Sequence, residues 1–144
     1  MTPDGFENAV RARFEMADGQ ASPTGRGDIA MYFNGTWQTL RPRAKPDGDL
    51  VRSLDVSVLQ EQLLAPILGI ADITTDTRID FVGGARGTKA LETLVDSGKA
   101  AVAFSLYPVS VSDLMAVSDA GAIMPPKSTW FEPKLRDGLL IHLI

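Results

Sequence analysis

Residues 29–40 read Ile-Ala-Met-Tyr-Phe-Asn-Gly-Thr-Trp-Gln-Thr-Leu, two β-prone runs on either side of Asn34-Gly35. Asn-Gly is the pair that most readily takes positive φ at both central turn positions, so the stretch predicts a hairpin closed by a two-residue type I′ turn. A hairpin alone is not stable in water, and the rest of the chain must supply further strands and helices to cover it. Tyr32 and Trp37 are expected to pack across this hairpin and onto a helix.

The flanking segments supply candidates. Phe6, Ala9, Val10 and Phe14 recur at helical offsets and predict a short helix within residues 6–16. Residues 17–28 hold three glycines and a proline with almost nothing to bury, which predicts a loop. Residues 1–28 thus read as a partly flexible N-terminal segment, and residues 29–144 as one domain. Val56, Leu59, Leu63, Leu64, Ile67 and Leu68 predict the main helix, with Asp55 as N-cap, Gly69 past its end, and a kink or break near Leu64 and Ala65 imposed by Pro66. The basic run Arg41 to Pro46 reads as an extended, solvated connector.

Ile79 to Val82 reads as a strand that runs through Gly83-Gly84-Ala85-Arg86-Gly87 into a helix capped by Thr88 and ended by Gly98. Residues 100–107 are apolar on both parities, which suits a central strand buried on both faces. Together these predict a parallel β-α-β unit. Ser110 and Asp113 form a capping pair for a helix through Val111, Leu114, Met115 and Val117, closed by Gly121. Trp130-Phe131 and Leu139 to Ile144 read as two antiparallel strands around Arg136-Asp137-Gly138, with His142 an ordinary sheet residue. The expected fold class is α+β: a single-domain mixed β-sheet with the hairpin, a β-α-β unit and covering helices.

Composition narrows the function classes. The 144 residues carry 14 basic and 18 acidic side chains, a net charge of −4, which argues against a general nucleic-acid or anionic-membrane binder. Without cysteine there is no disulfide or thiolate chemistry, and a single histidine excludes a zinc site. Asp72, Asp76 and Asp80 are spaced like oxygen ligands but lack the central glycine and closing glutamate of a calcium loop. The glycines at 83–87 match neither the Walker loop nor the dinucleotide fingerprint, and no metal or cofactor is expected. No leader and no run of roughly 18 apolar residues is present, so a cytoplasmic protein is expected. Arg26-Gly27-Asp28 is a tripeptide that chance supplies freely. No nucleophile, base and orienter can be assembled, so catalytic residues stay unassigned.

The stretch Met124 to Lys134, Met-Pro-Pro-Lys-Ser-Thr-Trp-Phe-Glu-Pro-Lys, has the composition of a site. Its prolines fix φ and exclude helix, and they stiffen a loop carrying Lys127, Ser128, Thr129 and Lys134. If the loops after Val82, after Tyr107 and before Trp130 share one rim, Arg86 joins them, with Gly83, Gly84 and Gly87 supplying backbone amides. Two functions compete: binding of a small anionic metabolite, phosphorylated or carboxylated, and a structural or oligomerisation role in which the loop is a rigid buckle.

The runs Arg78 to Gly84, Leu94 to Gly98 with Ala101 to Phe104, and above all Met124 to Leu135 with Gly138-Leu139 resemble the C-terminal part of the DUF1015 family of bacterial and archaeal proteins. Members of that family are much longer. The resemblance implies that this chain is a fragment whose N-terminal half is a natural partner, and an exposed apolar face left by that half implies a homodimer. It brings no mechanism.

Overall fold

In the computed structural model, residues 1–44 and 48–129 are described. Helix α1 (Pro3–Arg13) leads into strand β1 (Phe14–Asp18), followed by β2 (Ile29–Phe33) and β3 (Thr36–Pro42). Helix α2 (Asp55–Leu59) passes through a π-helical turn (Gln60–Leu64) into α3 (Ala65–Leu68). A 3-10 turn (Gly84–Arg86), α4 (Thr88–Asp96), β4 (Ala103–Leu106) and α5 (Val111–Asp119) complete the described order. The fold is a single α+β domain.

The sheet runs β1-β3-β2-β4, and every neighbouring pair is antiparallel. Asn34 at φ 50° and Gly35 at φ 78° form the type I′ turn, which sets Phe33 opposite Thr36 and Tyr32 opposite Trp37. Strand β2 lies at the centre and is buried along its whole length. Its odd-numbered residues Ile29, Met31 and Phe33 enter the main core with Phe6, Val10, Phe14, Leu40, Leu59, Leu63 and Leu64. The period of two sends Tyr32 to the opposite face. There its ring centroid lies 5.0 Å from that of Trp37. The Tyr32 hydroxyl donates to Asp96 Oδ1 at 3.0 Å, and Trp37 Nε1 donates to Glu92 Oε1 at 2.9 Å. The expected packing of this pair onto a helix is therefore present, and the helix is α4.

Pro66 is accommodated by the π-helical turn before it. A proline lacks an N–H, and in an α-helix its ring collides with the carbonyl four residues back. Here the Ala65 amide reaches back five residues to Gln60 O, widening the turn that Pro66 follows. The helix then stops at Gly69, which takes the left-handed φ of 68°.

Several expectations are corrected. The described sheet is antiparallel rather than mixed, and it contains no β-α-β unit: β4 pairs with β2, Ile29 facing Leu106 and Tyr32 facing Ala103. Ile79 to Val82 joins no ladder; Asp80 Oδ1 takes the Phe81 amide at 2.8 Å, and Phe81 is exposed. Among the described strands β4 is an edge with only Ala103 buried, and the central position belongs to β2. Residues 14–18 leave the helix to pair with β3, so residues 3–18 belong to the core through Phe6, Val10 and Phe14. Arg41 and Pro42 likewise lie in β3 rather than in a connector. The N-caps fall one residue early, at Leu54 and Gly87 in place of Asp55 and Thr88. Ser110 and Asp113 do form the reciprocal capping box. The expected strands at Trp130-Phe131 and Leu139 to Ile144, with His142, lie outside the described residues. No helix among the described residues is long and apolar enough to cross a membrane.

Candidate functional site

A cleft of about 500 Å³ opens where the end of β4, the start of α5, the start of α2 and two loops meet. Its walls carry Arg26, Asp55, Tyr107, Ser110, Ser112, Asp113, Lys127 and Ser128. Lys127 reaches it from a tight turn in which Pro125 O accepts the Ser128 amide at 3.3 Å and the Ser128 hydroxyl at 2.6 Å. Pro126 occupies the position where a type II turn favours proline, and Lys127 the next one, where φ must be positive; its φ is 60°. A lysine is seldom found there, since a Cβ in the left-handed region is unfavourable by about 1 kcal/mol or more. The Lys127 ammonium stands 5.9 Å from the centroid of the Phe81 ring, a cation–π contact with a residue outside the cleft lining.

The opposite wall is held by ion pairs. Arg26 Nη1 donates to Asp113 Oδ1 at 2.7 Å, and its Nη2 reaches Ser53 Oγ at 3.0 Å. Asp113 Oδ2 accepts from the Ser110 hydroxyl at 2.7 Å and the Ser110 amide at 3.3 Å. The Ser110 hydrogen bond, with help from Arg26, holds the Asp113 carboxyl below its usual range against the opposing effect of burial. Asp55 Oδ1 accepts the Gly27 amide at 2.9 Å. Burial pushes the Asp55 carboxyl up; the Gly27 amide and Arg26 oppose this, and the negative charges of Asp28 and Asp113 add to it. Asp28 is engaged by Arg41, whose Nε donates to Oδ1 at 2.7 Å. Both charges of Arg26-Gly27-Asp28 are thus engaged in ion pairs within the chain.

The site residues expected from sequence divide. Lys127 and Ser128 reach the cleft, but the Ser128 hydroxyl is tied to its own turn, as in a structural buckle. Thr129 is exposed beside the cleft and does not line it. Gly83, Gly84, Arg86 and Gly87 lie apart from the lining, and two of their amides are consumed locally: Arg86 N donates to Gly83 O at 2.9 Å and Gly87 N to Gly84 O at 3.0 Å. Gly87, at φ 68°, serves as N-cap of α4. The glycines there build a turn. Lys134 lies outside the described residues.

Arg26, Asp55 and Asp113 were not assigned to a site from sequence. In the sequence Arg26 sits in a tripeptide that chance supplies freely, while Asp55 and Asp113 carry helix-cap signals. The three aspartates of the 72–80 segment each serve local bonds: Asp72 accepts from Thr74 and Thr75, Asp76 pairs with Arg78, and Asp80 accepts the Phe81 amide. No group of histidine and carboxylate side chains suited to a metal is found among the described residues. Compared with protein-family models, with curated proteins and with solved structures, the chain matches none.

Proposed function

We propose that the protein binds a small anionic metabolite, phosphorylated or carboxylated, in the cleft between Lys127 and the N-terminus of α5. The observation that carries this reading is the Lys127 turn: a cation on a left-handed backbone, lining a cleft large enough for a metabolite. The start of α5 lines the same cleft through Ser110 and Ser112. Any helix leaves its first N–H groups without intrahelical acceptors, and the amides of Val111 and Ser112 occupy those positions in the nine-residue α5. Arg26 supports the wall and carries little charge to spare, because Asp113 neutralises it.

The test is a phosphate titration followed by amide resonances. Binding in the cleft moves Val111, Ser112 and Lys127 together and leaves the 83–87 turn unmoved. Shifts centred on 83–87, or none, contradict the site.

A second reading, as an oligomerisation module supporting the remainder of a DUF1015-like protein, has its own observation. Val111 and Met115, one turn apart on α5, are 73% and 60% exposed, and Ile123 is 87% exposed. Light scattering at rising concentration tests it: growth in mass that Met115→Lys abolishes supports the module, and a constant monomer mass counts against it.

A further inference from the structure

The geometry points to a ligand that carries an ammonium group as well as its anion, with Asp55 receiving the ammonium. This rests on the reading of the cleft as an anion site. Of the four charged side chains that line the cleft among the described residues, Arg26 and Asp113 satisfy each other at 2.7 Å. Both Asp113 oxygens are in use, one on Arg26 and one on Ser110. Lys127 and Asp55 remain, one cation and one carboxylate, so the lining is dipolar rather than simply positive.

Asp55 has capacity left. Oδ1 takes the Gly27 amide, while Oδ2 takes no hydrogen bond among the described residues. Asp55 is half-buried and lines the cleft, which places its carboxyl beside a ligand bound there. A plain anion entering here gains from Lys127 and is repelled by Asp55. A ligand with an ammonium at its other end converts the repulsion into a charge-assisted hydrogen bond. The upward displacement of the Asp55 carboxyl by burial agrees, because a poorly hydrated carboxylate gains most from a cation. The ligand class is a small zwitterion with a phosphoryl or carboxyl group at one end and an amine at the other.

Calorimetric titration with O-phosphoethanolamine, ethyl phosphate and inorganic phosphate tests this, because the first two differ chiefly in the amine. The parent should bind O-phosphoethanolamine about tenfold tighter than ethyl phosphate, a difference typical of one added charged hydrogen bond. Asp55→Asn keeps an acceptor for the Gly27 amide and should bring the two affinities together. Lys127→Ala should weaken both. A melting curve of Asp55→Asn matching the parent confirms that it folds; if it does not, Asp55→Glu, which keeps the charge, should retain the preference. Equal binding of the two probes by the parent overturns the ammonium inference and leaves the anion site standing. A preference that survives a folded Asp55→Asn overturns the role of Asp55. If no probe binds, the anion reading itself falls.

Discussion

Arg26 Nη1 and Asp113 Oδ1 meet at 2.7 Å across 87 positions of sequence, joining the loop before β2 to the first turn of α5. The same loop is fastened at its next residue, where the Gly27 amide donates to Asp55, and again at Asp28 by Arg41. Three consecutive residues thus connect α5, α2 and β3, and the first of them, Arg26, lines the cleft together with Asp55 and Asp113.

Arg26→Ala removes the first fastening. The pair is partly exposed, so the expected loss of global stability is within about 1 kcal/mol. The local effect should be larger: the Gly27 amide, still bound to Asp55, should exchange with solvent faster while core amides such as those of β2 hold. Unchanged Gly27 exchange would show that the clasp does not order the loop.

Two glycines make opposite cases for substitution. At Gly19 an added Cβ would meet the Thr39 hydroxyl and lie 2.5 Å from the Thr39 backbone nitrogen, so Gly19→Ala must push β1 and β3 apart. A destabilisation of about 1–3 kcal/mol is expected, the range typical of overpacking. At Gly35 an added Cβ meets nothing within 4 Å, but φ is +78°, so Gly35→Val is penalised by backbone strain alone, about 1–2 kcal/mol. Gly25, with open space and no positive φ, should accept alanine. Chemical denaturation of the three variants separates these causes, and an unperturbed Gly35→Val would remove the turn assignment.

The hairpin and the main helix were legible because their signals are local. Asn34-Gly35 dictates its own turn, and the apolar spacing from Val56 to Leu68 holds whatever it packs against. Strand pairing was not legible. Ile79 to Val82 has strand composition but finds no partner, whereas Phe14 to Asp18, with only alternate apolar residues, becomes a strand because β3 offers an edge. The β-α-β expectation failed for the same reason: residues 103–106 are as apolar as a parallel core strand, and only the three-dimensional neighbour decides that they run antiparallel to β2. At the site, prolines marked Lys127 and Ser128. Arg26 and Asp55 acquire their roles through partners 87 and 28 residues away, which no local pattern encodes.

Acid should destabilise the protein, with one group opposing the trend. Asp28, Asp113, Asp72, Asp76 and Glu92 are held below their usual range by hydrogen bonds, from Arg41, Ser110, Thr74, Arg78 and Lys89 respectively, and Asp76 is lowered to about 2. A depressed carboxyl binds fewer protons folded than unfolded, so its contribution is present above the unfolded value and is lost as pH falls through the folded one. For Asp76 that window runs from 3.8 down to about 2. Asp55 is raised, so it favours folding at low pH and loses that contribution as pH climbs through its folded value. Denaturation midpoints should therefore fall from pH 5 to pH 2, Asp28→Asn should flatten part of that fall, and Asp55→Asn should be at least as stable as the parent at pH 7. An Asp55→Asn variant that is clearly weaker at pH 7 would contradict the raised carboxyl.

The most direct test of the cleft is the unfolding of the parent and Lys127→Ala, each with and without phosphate. Alanine keeps the Cβ and hence the left-handed strain at this position, so the substitution isolates the ammonium. Without phosphate the two proteins should melt within a few degrees of each other. With phosphate at a hundredfold over its Kd, the parent should gain about 2.7 kcal/mol and the variant far less. If Lys127→Ala unfolds on its own and phosphate protects neither protein, the Pro125 to Ser128 turn is a structural buckle and the binding site is wrong.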